Sequence, residues 1–358
     1  MYVKKLSNIG GISSIVRYVN FLAGGNTFVS TTTTALGLAI NGSPYIAAYQ
    51  WSNGIGSKYA NPATLPGFYG YDISWSPSGN DVAVAEYYGI TAYPWSSGFG
   101  TKYANPATAV SGIGKSVAFN TSGDTIFVGS GTTPFIQAYP WSSGFGTKYA
   151  NPATLPAGGL YGVESVSFGS NTIFMQNYSS PYVTAYPWSA GFGSKYSDPV
   201  SLNLTSSYSI DYSSAAGAVA ITGSYSGYGI PIYPWSSGFG TKYADPTLLN
   251  SEFATSSAKF SSNGTTLFAA YSYAGSLWAW PWSTSTGYGT KYAKPTGFTA
   301  TPNNAALSVS SDGKLVAIGL STSPYMAVFH FNSTAGYAFK YPDPVTALTG
   351  SVEATTFR

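Results

Sequence analysis

The chain has 358 residues, only 8% of them charged, and a formal net charge of +3 at neutral pH. Charge this sparse excludes the concentrated basic face of a dedicated nucleic-acid binder, and an aromatic content of 17% excludes a disordered chain. Cysteine is absent, so disulfides and thiolate metal sites are excluded, and no stretch approaches the eighteen or so apolar residues of a membrane-spanning helix.

Residues 1–30 stand outside the pattern that governs the rest. Met1–Gly10 carries two lysines without a following apolar run, which predicts no secretory signal. The segment reads as an N-terminal arm in which Thr27-Phe28-Val29-Ser30 faintly echoes a strand; Lys4, Lys5 and Arg17 are its candidate residues for docking to another protein.

From residue 31 one unit recurs. Its clearest copy is Tyr93-Pro94-Trp95-Ser96-Ser97-Gly98-Phe99-Gly100-Thr101-Lys102-Tyr103-Ala104-Asn105-Pro106. The anchoring aromatics are Trp51, Trp95, Trp141, Trp188, Trp235, Trp282 and Phe331, at spacings of 44, 46, 47, 47, 47 and 49 residues. A period of this size marks a solenoid or a propeller.

The unit from Asp72 to Ala104 shows the expected strands. Asp72–Ser76 is strand A and Pro77-Ser78-Gly79-Asn80 a tight turn. Asp81–Tyr87 is strand B, Ile90–Tyr93 strand C and Thr101–Ala104 strand D, each a short alternating run bounded by turn residues. Strand A carries an aromatic or apolar marker at Trp75, Phe119, Phe168, Tyr212, Phe260, Val309 and Phe357. This series starts late and ends at the C-terminus. The pattern predicts an all-β fold, a seven-bladed β-propeller of four-stranded antiparallel blades over residues 31–358, closed by the C-terminal strand joining the first blade. The alternative makes Asn26–Ser30 the first A strand.

The strand-turn-strand pattern of Ala306–Gly319 and its counterparts resembles WD40 and YVTN-type propellers, although Gly-His and Trp-Asp dipeptides are missing. The Pro-Trp-Ser-x-Gly-x-Gly-[ST]-Lys-Tyr unit also resembles repeats in structural proteins of tailed bacteriophages.

Pro94, Pro140, Pro187, Pro234 and Pro281 precede the tryptophans and cannot donate to a ladder, so strand C ends there and the C–D loop begins. Two readings follow for Trp51, Trp95, Trp141, Trp188, Trp235 and Trp282. Either they plug the gaps between blades, or they display platforms for a ligand or partner. The repeat lysines are expected to guard the outer strand against edge pairing, and the adjacent tyrosines to pack on strand C. The single histidine, His330, replaces a repeat proline and reads as a local substitution. No metal-loop spacing and no paired-carboxylate signature appears.

These features lead to an expectation of a non-enzymatic structural or adhesive propeller without cofactors, located in a virion or, alternatively, extracellular. Its partners would be other virion proteins or a host-surface glycan, with no nucleic acid and no membrane insertion, and assembly into a homo-oligomer through the arm or the faces. The alternative is a multivalent glycan-binding lectin. A third, lactonase-like reading needs acidic groups converging in a central channel, where the inward candidates are Asp72 and Asp211.

Overall fold

The computed structural model describes residues 33–159, 161–225, 230–246, 255–271 and 277–358. The proposed arm, with Lys4, Lys5 and Arg17, lies outside them, as does Asn26–Ser30. Strands β1 (Ala35–Asn41), β2 (Ile46–Trp51) and β3 (Ile55–Lys58) begin the first sheet. The second holds β4 (Gly70–Trp75), β5 (Asp81–Glu86) and β6 (Gly89–Pro94). The third holds β7 (Gly114–Phe119), β8 (Thr125–Ser130) and β9 (Ile136–Pro140). The fourth is β10 (Val163–Gly169), β11 (Thr172–Asn177) and β12 (Val183–Pro187), and the fifth β13 (Leu204–Ser213), β14 (Ala218–Tyr225) and β15 (Ile232–Pro234). In the sixth are β16 (Thr255–Phe260), β17 (Thr266–Tyr271), β18 (Leu277–Ser283) and β19 (Gly287–Tyr288). The seventh comprises β20 (Pro302–Val309), β21 (Leu315–Leu320), β22 (Met326–Asn332) and β23 (Gly336–Lys340). The last strand, β24 (Ser351–Phe357), returns to the first sheet, whose order is β24-β1-β2-β3.

The architecture is all-β, antiparallel and propeller-like. The second strand of each sheet is buried on both faces, as in Asp81–Glu86 and Leu315–Leu320. The apolar clusters explain why. Leu36, Leu38 and Tyr49 of the first sheet pack with Leu315, Ala317 and Val328 of the seventh, while Ala39 and Ile46 of the same first sheet pack with Val82 and Val84 of the second. A sheet covered on both sides this way reads as a continuous apolar run in its central strand, and the alternation survives only at its edges.

The four-stranded expectation is corrected: among the described residues three sheets have four strands and four have three. In the shorter sheets the C–D corner closes with an isolated bridge, such as Trp95 to Phe99, and the predicted strand D makes one backbone bond, Tyr103 N–H to the Ala92 carbonyl at 3.0 Å. Pro94 removes the donor that would extend the ladder. The corner between them needs both glycines. Gly98 has φ +144°, and a Cβ on Gly100 would lie 2.7 Å from Pro94 Cγ.

The C-terminal strand does join β1, with Leu36 opposite Phe357 and Asn41 opposite Ser351. Arg358 completes the seam, donating from Nε to the Gly79 carbonyl of the second sheet at 2.6 Å and from a guanidinium nitrogen to Thr34 Oγ1 at 3.0 Å.

Candidate functional site in the central channel

The six repeat tryptophans do not form a display surface. Trp51, Trp95, Trp141, Trp188, Trp235 and Trp282 are between 4% and 9% exposed. Each is wedged between sheets: Trp95 stands edge-on to Tyr59, Trp75 and Phe99 with centroids 4.8–4.9 Å apart. Trp141 does the same with Tyr103, Phe119 and Phe145, and its indole N–H reaches Asp81 Oδ2 at 3.2 Å. Their candidacy as ligand-binding residues is corrected, because burial leaves no ring face for a partner. The tyrosine beside the repeat lysine packs on its own strand C, as Tyr103 does with Ile90 and Ala92, and also meets the anchoring aromatic of the following unit, Trp141 for Tyr103 and Phe331 for Tyr292. The lysines are tied locally: Lys102 and Lys148 each donate to an asparagine three residues on at 2.6 Å, and Lys195 and Lys242 pair with an aspartate at the same offset and distance.

Chemistry gathers instead where the first strands of the sheets converge. They enclose a cavity of about 350 Å³ lined by Tyr71, Asp72, Lys115, Glu164, Ser167 and Lys259, among others. Part of this lining is a belt that ties β4, β7, β10, β13 and β16 each to the next. Asp72 Oδ2 accepts the Ser116 hydroxyl at 2.6 Å and the Val117 N–H at 2.9 Å. Ser116 Oγ accepts the Val166 N–H at 3.0 Å, Ser165 Oγ that of Ile210 at 3.2 Å, and Ser167 Oγ that of Tyr212 at 3.1 Å. Asp211 accepts the Phe260 N–H at 2.9 Å and the Lys259 ammonium at 3.0 Å. These bonds supply partners for inner-edge amides that no neighbouring strand pairs.

Asp72 lines the channel cavity, as the lactonase-like reading required, and Asp211 meets it only through Lys259; both work in the belt. Burial raises the Asp72 carboxyl above the usual carboxylate range against the pull of its hydrogen bonds to Ser116, Val117 and Ile73. Burial alone would lower the Lys259 ammonium, yet Asp211 and Asp72 together hold it above its ordinary value.

The less committed pair is Lys115 and Glu164, 3.7 Å apart and both partly accessible. Burial pushes the Glu164 carboxyl up, and the Lys115 charge and hydrogen bond oppose that shift. The Lys115 ammonium also lies 5.0 Å from the Tyr71 ring centroid and 5.9 Å from that of Tyr161. A carboxyl of raised affinity for protons beside a fixed cation, in a cavity, has the makings of a general base next to an electrostatic anchor.

Sequence reasoning missed Lys115, Glu164 and Lys259. A signal was present: Tyr71, Lys115, Glu164 and Glu353 each stand four residues before the strand-A aromatic, at Trp75, Phe119, Phe168 and Phe357. Aligning the strands on that aromatic puts these side chains at one level of the channel.

No protein-family model matches the chain, and no curated protein matches it. Solved structures do. A proposed 6-phosphogluconolactonase from Bacteroides uniformis superposes with a TM-score of 0.65 at 13% identity, covering 90% of this chain and 99% of the other. The periplasmic gluconolactonase of Pseudomonas aeruginosa gives 0.68 at 12% identity, covering 90% and 98%. The β-propeller domain of Myceliophteria thermophila Cps50 gives 0.57 at 8%, covering 78% and 88%. At these identities the likeness is one of fold, and it establishes the propeller class. The expectation of a non-enzymatic phage component, with a lectin as its alternative, is overturned by these neighbours, two of which are described as lactonases, together with the burial of the tryptophans on which display depended.

Proposed function

We propose that the seven sheets are the blades of a closed seven-bladed propeller, and that its central channel hydrolyses a small cyclic ester of a sugar acid. The observation that carries this reading is the Lys115–Glu164 pair at 3.7 Å in the channel cavity. The lactonase names among the structural neighbours support the choice of substrate class. Glu164 takes a proton from a water that adds to the lactone carbonyl carbon. The Lys115 ammonium stabilises the negative charge that grows on the carbonyl oxygen. Collapse of the adduct breaks the ring C–O bond, the leaving oxygen recovers the proton from Glu164, and the product is the open hydroxy acid.

The test is hydrolysis of glucono-δ-lactone and its 6-phosphate by the full chain, followed as acid release against the spontaneous rate. Glu164→Gln should lower the enzymatic rate by about a hundredfold or more, the range for a positioned general base. A rate equal to the uncatalysed one for both lactones would overturn the proposal and leave the channel charges as ring-closing struts.

A further inference from the structure

The repeat breaks at one C–D corner. His330 stands where five other units have proline, and Phe331 where the others have tryptophan. Elsewhere the indole fills the gap to the preceding sheet, as Trp141 does in reaching Asp81. Phe331 is buried and packs on Phe268 and Tyr292 with centroids 4.7 and 5.3 Å away, but a phenyl lacks the second ring. Beside it lies a cavity of about 280 Å³, lined by Asn263 and Thr266 on the sixth-sheet side and by Asp312, Lys314, His330 and Asn332 on the seventh. Thr266 pairs with Pro281 as Asp81 pairs with Pro94, so the cavity sits where an indole would have been received.

Several acceptor oxygens of this cavity are engaged within their own turns. Asn263 Oδ1 accepts the Ser261 hydroxyl at 2.7 Å and the Thr265 hydroxyl at 2.9 Å. Asn332 Oδ1 accepts the Thr334 N–H at 2.8 Å and its hydroxyl at 2.6 Å. Both amide oxygens are thereby committed to their own turns, which leaves the NH₂ ends for the cavity. Asp312 Oδ1 likewise accepts the Ser310 hydroxyl at 2.6 Å and the Lys314 N–H at 3.1 Å. The Lys314 ammonium is 4.0 Å from Asp312 Oδ2, beyond hydrogen-bond range, and its side chain is half exposed.

We infer that this cavity binds a tetrahedral oxyanion of the phosphate class. Two amide NH₂ groups and the Lys314 ammonium offer donors from both sheets. That is more than the two oxygens of a carboxylate use, and charge-assisted bonds of this kind are the stronger ones. Asp312 Oδ1 is turned into its hairpin, and the Lys314 ammonium offsets the carboxylate charge from 4.0 Å. The inference is independent of the channel reading, because the two cavities share no residue.

His330 is the only histidine of the chain, so its ring Cε1–H is an unambiguous reporter by proton NMR. Titration of the full chain with inorganic phosphate, at constant pH and ionic strength, is expected to move this resonance saturably. Acetate should bind more weakly. Lys314→Met should weaken phosphate binding about tenfold, the effect of losing one charge-assisted bond, and Phe331→Trp should abolish it by filling the cavity. A linear drift that chloride reproduces, acetate binding as tight as phosphate, or a saturable shift unchanged in Lys314→Met would each overturn the assignment. The lysine variant decides the matter if the tryptophan variant does not fold.

Discussion

Tyr139→Phe isolates a bond that the repeat makes many times. The ring of Tyr139 is fully buried in β9, and its hydroxyl donates to the Thr108 carbonyl at 2.9 Å while accepting from Gln137 Nε2 at 3.1 Å. Tyr49, Tyr93 and Tyr233 tie the corresponding connections through Thr346, Thr64 and Val200 at 2.7, 2.8 and 2.9 Å. Removing the oxygen leaves the packing intact and should cost about 1–2 kcal/mol, a net hydrogen bond plus part of the desolvation of its partners. An unfolding entropy of about 2.1 cal/mol/K per residue over 358 residues converts this into a fall in Tm of roughly 2 °C.

The pH dependence makes the prediction sharper. Burial pushes the Tyr139 phenol up to about 12 from its ordinary 10. A raised folded-state value favours the protonated form, so the contribution is complete below pH 10 and is lost as the pH climbs through 12. The loss amounts to about 2.7 kcal/mol for two units. Wild type should therefore exceed Tyr139→Phe in stability at pH 8, and the two should converge and cross near pH ~11. Denaturant melts followed by circular dichroism from pH 8 to the alkaline limit would show it. A stability difference that stays constant over that range refutes the reasoning, as does the absence of any difference at pH 8.

Trp141→Ala should cost about 3–5 kcal/mol through cavity formation and deprive Asp81 of its indole donor, lowering Tm by roughly 4–6 °C in calorimetry. Deleting residues 351–358 removes β24 and the Arg358 seam, and should abolish the single cooperative transition and expose β1 to edge pairing, seen as aggregation in light scattering. If the Lys115–Glu164 pair acts as described, wild-type lactone hydrolysis rises with pH through a carboxyl value shifted upward by burial. Lys115→Met then lowers the rate by about a hundredfold and moves that inflection further up, because the opposing cation is gone; an unmoved inflection assigns the titration to another group.

Much of the ring was legible because its units are short and local. The strand pattern, the Pro-terminated strand C and the two glycines of the corner follow from turn chemistry and missing donors, and the unpaired edge favoured the return of the last strand to β1. The predicted strand D failed in four sheets for a reason that local propensity does not weigh. Thr101–Ala104 has strand-like residues, but its neighbour Pro94 offers no N–H, so one backbone bond at Tyr103 is all that forms. The tryptophans were ambiguous because an aromatic in a loop motif looks the same whether its ring faces water or the next sheet.

The sequence by itself determined the periodicity and the all-β class, since each depends on residues within one unit, and it favoured the C-terminal segment over Asn26–Ser30 as the closing strand without deciding between them. The tertiary structure alone decided which side chains meet. Lys115 and Glu164 are forty-nine residues apart and face each other only because successive sheets turn their first strands to a common axis. Asp81 receives an indole sixty positions away, and Phe331 leaves a cavity because the sheet beside it was built to accept something larger. Contacts between units carry no local signature: their energies depend on distance in space, and distance along the chain says nothing of it until the ring is closed.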